Sequence, residues 1–334
     1  MDFTILHFAI HIVWRANVIC PYRKSGIARK TTVAYPELRF VILVHIVHFG
    51  DLHPDVKSSI LAFMMPTFLV ITGYLVNVHK TIKKFLHYLL KIALPYTIMV
   101  LGYMLVSLYL PVRDGITSFD VHTVCRVLFV TSIGPYWFFR VMIICGICYY
   151  LVFRCFQSSF STNTKYILLG TLLLVVSLLP PHVISIKSAF YYYLGVGIKI
   201  YLGDINKICV GSFWALIPFA VMLSQEDWRD WSTFFVLACV MCYFSVSTQL
   251  AKYPKGKSKK ALLYIGRNTL PIYIFHPIFT MLSKYTLPFF QYDPSGVLHA
   301  VFTIFISVGG SLGIAYFMDK THFSWMFAYR KMLR

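Results

Sequence analysis

The chain has 334 residues, of which 58% are hydrophobic and 13% charged. Soluble domains carry about 25% charged residues, so a soluble globular class is excluded and a polytopic helical membrane protein is indicated. The net charge of +19 does not mark a nucleic-acid partner, because the lysines and arginines are distributed by topology.

Residues 1–20 are apolar but interrupted by His7, His11, Arg15 and Asn17. No basic segment precedes this run and no small-residue cleavage site follows it, so it reads as an interfacial helix rather than a signal peptide. An extra span is the alternative. The first span is residues 37–50, Glu37-Leu-Arg-Phe-Val-Ile-Leu-Val-His-Ile-Val-His-Phe-Gly50. The hydrophobic pattern then predicts spans at 59–78, 88–110, 136–156, 166–186, 188–202, 208–223, 232–250, 262–282 and 297–318. A short apolar piece at 124–133 lies in the loop before the fourth span. The expected fold is all-α, a transmembrane bundle of about ten spans with both termini cytoplasmic. Three segments follow: an N-terminal interfacial and cytoplasmic segment at 1–35, a membrane domain at 36–320 and a basic tail at 321–334.

Charge supports that count. Twenty lysines and arginines fall in the segments that ten spans place inside, and six in those placed outside. This matches the positive-inside rule. The most basic loop, Lys252-Tyr-Pro-Lys-Gly-Lys-Ser-Lys-Lys260, anchors topology on anionic lipid or offers a landing surface to a polyanionic cosubstrate. Cys145 and Cys148 are spaced C-x-x-C but fall mid-helix with no ligating His nearby, so no metal site is expected.

All twelve acidic residues fall in loops or at span edges. Ion-coupled transporters usually keep a carboxylate at mid-membrane, so that class is disfavoured. The ionisable groups inside the spans are His45, His48, Arg140, Lys199, Arg267 and His276. Such a set suits an anionic or acyl substrate. His45 and His48 are three apart and share a helix face. His48 lies about 13–14 Å along a helix from Arg39. A histidine there can take the proton of a hydroxyl that attacks an acyl group. The run Phe190-Tyr-Tyr-Tyr193 fits either sugar stacking or an interfacial aromatic belt.

Four stretches, in order, carry a family resemblance. They are Glu37-Leu38-Arg39 through His48-Phe49-Gly50, then Pro66-Thr-Phe-Leu-Val-Ile-Thr-Gly-Tyr74, then Gly134-Pro-Tyr-Trp-Phe138, and finally Tyr264-Ile-Gly-Arg-Asn-Thr-Leu-Pro-Ile-Tyr-Ile-Phe-His-Pro277. Together they resemble the integral membrane acyltransferase-3 family, which O-acetylates cell-surface carbohydrates. The resemblance implies a cytoplasmic acetyl-CoA cosubstrate, no bound cofactor or metal, a polysaccharide or lipid-linked carbohydrate acceptor, and a multi-pass protein of a bacterial inner membrane. It also implies that His48 is the catalytic histidine, with His45 as the fallback. Glu37, Arg39 and Arg267 become candidates for the donor site. Thr72, Gly73, Trp137, Arg140, Asn268, Tyr273 and His276 become cavity-lining or supporting residues.

One departure bears on the first helix. The family places its arginine and histidine eleven positions apart, on nearly one face. Arg39 and His48 are nine apart, which is 900° and the opposite face, whereas Glu37 and His48 are eleven apart. A distorted helix, another counterpart for the family's arginine, or a degraded first helix would each account for it. The competing functional classes are a carrier of lipid-linked glycans that does no chemistry and an inactive family member.

Overall fold

The computed structural model describes residues 54–78, 80–110, 114–156, 160–203, 210–250, 253 and 256–333. Glu37, Arg39, His45 and His48 lie outside the described residues. The described chain is helical and contains no strand. Its principal helices are α1 (Pro54–Leu75), α2 (Ile82–Ser107), α3 (Val121–Arg126), α4 (Trp137–Cys155), α5 (Thr162–Leu178), α6 (Ile186–Gly197), α7 (Leu216–Ser224), α8 (Phe234–Leu250), α9 (Gly256–Arg267), α10 (Thr269–Ser283) and α11 (Val297–Lys320).

Among the described residues, four stretches are long and apolar enough to cross a bilayer: Ser58–Leu75, Ile82–Ser107, Gly134–Arg154 and Val297–Lys320. Along α2 and α11 most of the apolar surface faces outward, with Leu86, Leu90, Phe305 and Phe317 exposed. Water does not tolerate so much apolar surface, whereas lipid does. The chain is therefore a membrane protein. The other predicted spans within the described residues are shorter or broken. The sixth ends in a π turn at Ile198–Leu202. The seventh, expected from residue 208, becomes helical only at Leu216. There the chain turns first, and Ser212 N–H donates to the Ser245 carbonyl. The ninth is two helices, α9 and α10, interrupted at Asn268. This residue has φ −110° and ψ 24°, and its side-chain amide donates to the Tyr264 carbonyl at 2.9 Å. An asparagine that bonds its own backbone competes with the helix and breaks it.

The core is organised by the crossing of α1 and α6, the most extensive contact between helices. Gly73 and Gly195 make it possible. A Cβ on Gly73 would sit 2.0 Å from the Tyr192 carbonyl oxygen, and one on Gly195 would sit 1.7 Å from that of Val70. Small residues at such crossings let the two backbones touch, which is how helices gain packing in lipid. α5 and α8 flank this pair, and α4 packs on α5 and α2. α10 and α11 form a second close pair.

Two tyrosines lock α4 to α10. The Tyr136 hydroxyl donates to the Ile274 carbonyl at 3.1 Å, and the Tyr273 hydroxyl donates to the Pro135 carbonyl at 2.6 Å. Two of the four motif stretches are thus fastened reciprocally. After α11 the segment 321–333 folds back. Asp319 accepts from the Ser324 hydroxyl and from the backbone N–H groups of Met332 and Leu333. The Tyr329 hydroxyl donates to the Lys91 carbonyl at 3.3 Å.

These contacts give two expectations for the purified protein in detergent. Gly195→Ala should lower the thermal unfolding midpoint sharply, because overpacking costs about 1–3 kcal/mol or more. Gly102→Ala, where an added Cβ meets nothing within 4 Å, should leave the midpoint unchanged or raise it. Equal effects would contradict the crossing. Tyr136→Phe and Tyr273→Phe should each cost about 1 kcal/mol, and a double-mutant cycle should show coupling between them.

Candidate functional site

The motif residues do not all meet in one place. Thr72 is fully buried, and its hydroxyl donates to the Phe68 carbonyl at 2.8 Å within α1. Gly73 serves the crossing with α6, and the Tyr74 hydroxyl reaches the Gly203 carbonyl at 3.0 Å. This stretch packs the bundle. In the run Phe190–Tyr193, Phe190 is exposed and the tyrosines pack inward. Tyr191 and Tyr192 are buried, and Tyr193 stacks on Tyr166 with centroids 4.0 Å apart.

The other two motif stretches are brought together. Trp137 opens α4 and meets Trp231 at 6.5 Å. Tyr273 stands edge-on to Phe139 at 4.9 Å and 5.7 Å from the His276 ring. His276 is buried, with Nδ1 2.9 Å from the Tyr273 carbonyl and 3.2 Å from that of Ile272. Carbonyls only accept, so Nδ1 carries the proton and donates. That assignment leaves Nε2 as the acceptor nitrogen. Asn268 is fully buried at the helix break, whereas Arg267 beside it is exposed.

Two cavities flank this bundle at opposite ends of α4. The first, of about 460 Å³, is lined by residues 114–118 of the loop after α2, by Thr123, Arg126, Val127 and Thr131, and by Ser132, Gly134 and Trp137. α3 is positioned there by Asp120, which caps it by accepting from Thr123 N–H at 2.9 Å. That hydrogen bond and those from the Thr123 and Ser118 hydroxyls hold the Asp120 carboxyl at a pKa of about 2. Ser132 closes the π turn Val127–Thr131 at φ +66°, which is a costly conformation for a residue with a Cβ.

The second cavity, of about 510 Å³, lies at the other end of α4. Arg154, Lys165 and Lys199 line it with Val78, Tyr149, Phe153, Thr162 and Ile200. Lys80 stands near Lys199 and over the Tyr88 ring, 4.3 Å from its centroid. Lys80 and Lys165 are both buried. Lys199 donates to the Val76 carbonyl, which fixes its ammonium at the lip between α1 and α6. No carboxylate is among the described lining residues. Ammonium and guanidinium groups are good phosphate ligands, so the chemistry of this lining suits a polyanion.

The sequence reading counted Lys199 among the in-membrane cations. It assigned Lys80 to one cytoplasmic loop and Arg154 and Lys165 to the next, and the meeting of the two loops with Lys199 had no local signal. Tyr96 and Ser132 were missed altogether, and Tyr136 entered only as part of its motif stretch.

No curated protein and no solved structure matches the chain. The acyltransferase domain family, Acyl_transf_3, matches residues 40–316. The match takes in His45, His48, the α4 start and the whole of α10, and leaves Glu37 and Arg39 just outside. It covers well over half of the sequence, and the chain accordingly belongs to the acyltransferase domain family.

Proposed function

We propose that the protein moves an acyl group, most simply acetyl, from an acyl-CoA to a hydroxyl of a cell-surface or lipid-linked carbohydrate. The observation that carries this reading is the cationic cavity at the Arg154 end of α4. A CoA thioester brings a phosphate-rich head and a long uncharged arm. Arg154, Lys165 and Lys199 suit the head, as ammonium and guanidinium groups suit phosphate. The excess of lysine and arginine in the loops at this end supports a cytoplasmic position for it, where acyl-CoA is found. The protein is then a multi-pass protein of the inner membrane, with residues 36–320 as its catalytic domain between the 1–35 segment and the 321–334 tail.

In this reading His48 accepts the proton of the attacking hydroxyl. The alkoxide oxygen bonds to the thioester carbonyl carbon, and the tetrahedral oxyanion collapses. The C–S bond breaks, and the thiolate leaves with the proton that the histidine returns. His45, three residues earlier, is the fallback for this role. Arg39, Glu37 and Arg267 complete the donor side. Trp137, Asn268, Tyr273 and His276 shape the acceptor side.

The test uses membranes containing the protein, radiolabelled acetyl-CoA and glycan from the host. Label should enter glycan with the unaltered protein and fail to do so with His48→Ala, at equal membrane insertion. Transfer retained by both His48→Ala and His45→Ala would remove histidine from the chemistry. Lys165→Gln and Lys199→Gln should each raise KM for the donor about tenfold, the order of one lost charged hydrogen bond, and steepen no other parameter. Unchanged donor binding in both would move the donor elsewhere. A glycan carrier without chemistry would retain glycan inside deletion cells and label none.

A further inference from the structure

Arg140 lies one helical turn beyond Trp137 on the same side of α4. Its Nε and Nη1 are buried, and neither has a hydrogen-bond partner among the described residues. The guanidinium stays charged under all ordinary conditions, so two charged donors are held unsatisfied inside the bundle. Evolution retains such an arrangement only at a cost in stability. The guanidinium lies within electrostatic reach of the Tyr96 hydroxyl, whose own proton goes to the Leu128 carbonyl at 2.7 Å.

Ser132 is a second neighbour of Tyr96. Its side chain neighbours the Tyr96 hydroxyl, yet its Oγ is buried and makes no hydrogen bond of ordinary geometry. The residue is only 7% exposed. It also lines the 460 Å³ cavity together with Trp137. Its backbone is held at φ +66°, so the chain spends strain to keep this hydroxyl where it is. Among the described residues the two guanidinium donors therefore have no partner, and the Ser132 hydroxyl meets at most that of Tyr96. Asp114 and Arg126, of opposite charge, are the charged residues among the described cavity lining.

We propose that Arg140 and Ser132, arranged about Tyr96, form a recognition site for a negatively charged oxygen, reached through the cavity at Trp137. Two sources share that chemistry. One is a standing carboxylate or phosphate on the molecule that receives the acyl group. The other, which rests on the acyl-transfer reading above, is the oxyanion formed on the thioester carbonyl. Arg140 precedes Arg154 by fourteen residues, about 21 Å along the helix axis. A phosphate-rich head seated at Arg154 would have to send its thioester about that far, which an extended pantetheine arm can do.

The test needs no acyl transfer at its first stage. The thermal unfolding midpoint of the purified protein is measured alone and with glucuronate, inorganic phosphate or uncharged glucose, for the unaltered chain and for Arg140→Gln, Arg140→Lys and Ser132→Ala. Without ligand, Arg140→Gln should unfold at the same or a higher temperature, since it removes an unpaired buried charge. A much lower midpoint would make Arg140 a structural residue and overturn the proposal. Stabilisation by glucuronate or phosphate but not glucose, lost in Arg140→Gln and reduced in Ser132→Ala, assigns the site to a standing anion. If no anion stabilises the unaltered chain, the second stage reads kinetics. A fall in kcat of about a hundredfold in Arg140→Gln with acceptor KM unchanged, partly restored by Arg140→Lys, assigns it to the oxyanion. Wild-type kcat and KM in Arg140→Gln, with no anion effect, overturns the site. Anion stabilisation in a protein that transfers no label would keep the site and remove the transferase reading instead.

Discussion

The structure depends on two glycines that face one another. Gly73 and Gly195 let α1 and α6 cross with backbone against backbone, and no side chain could be accommodated at either point. In lipid the hydrophobic effect does not drive helix association, so close van der Waals contact must do so. Everything else is hung on that crossing. α5 and α8 pack beside it, and α4 reaches it through α5 and α1. Lys199 sits at the end of α6 and bonds the Val76 carbonyl just past α1, so the same crossing that makes the core also forms the lip of the cationic cavity.

Much of this was legible in the sequence, because lipid imposes simple rules. Long apolar runs had to be helices, and α1, α2, α4 and α11 were placed within a few residues. Trp137 and Tyr273 were singled out from their motif stretches, and the structure does bring those two stretches together. Asn268 was noted as a site residue, but its breaking of the ninth span was not foreseen. The pattern of apolar residues runs straight through that position, and only the side-chain bond to Tyr264 shows why the helix stops. Gly73 was read as a cavity-lining or supporting residue. Its actual work depends on a partner glycine far along the chain, which periodicity cannot reveal. The cationic cavity and the Arg140–Tyr96–Ser132 corner were hidden for the same reason. They are assembled from different helices, and no one segment carries the pattern.

The two ends of the bundle differ in chemical character. The Arg154 end gathers cations with no carboxylate among the described lining residues. The Trp137 end offers hydroxyls, one acid, one base and an indole edge. A single substrate would have little reason to meet both. The chain's membership of an acyltransferase family accords with two substrates of different chemistry, a donor and an acceptor.

α4 joins those ends without a proline or glycine kink in its described path beyond Gly146, which has open space around it. A regular helix couples distance to rotation. Lengthening it by one residue would carry Arg140 only about 1.5 Å farther from Arg154 but swing it by about 100° around the axis. The guanidinium would then leave Tyr96 and face another helix or the lipid. Reach between the two chemistries is thus forgiving, whereas angular phase is not, and natural variation in chain length should be absorbed in the loops on either side of α4 and excluded from the helix itself.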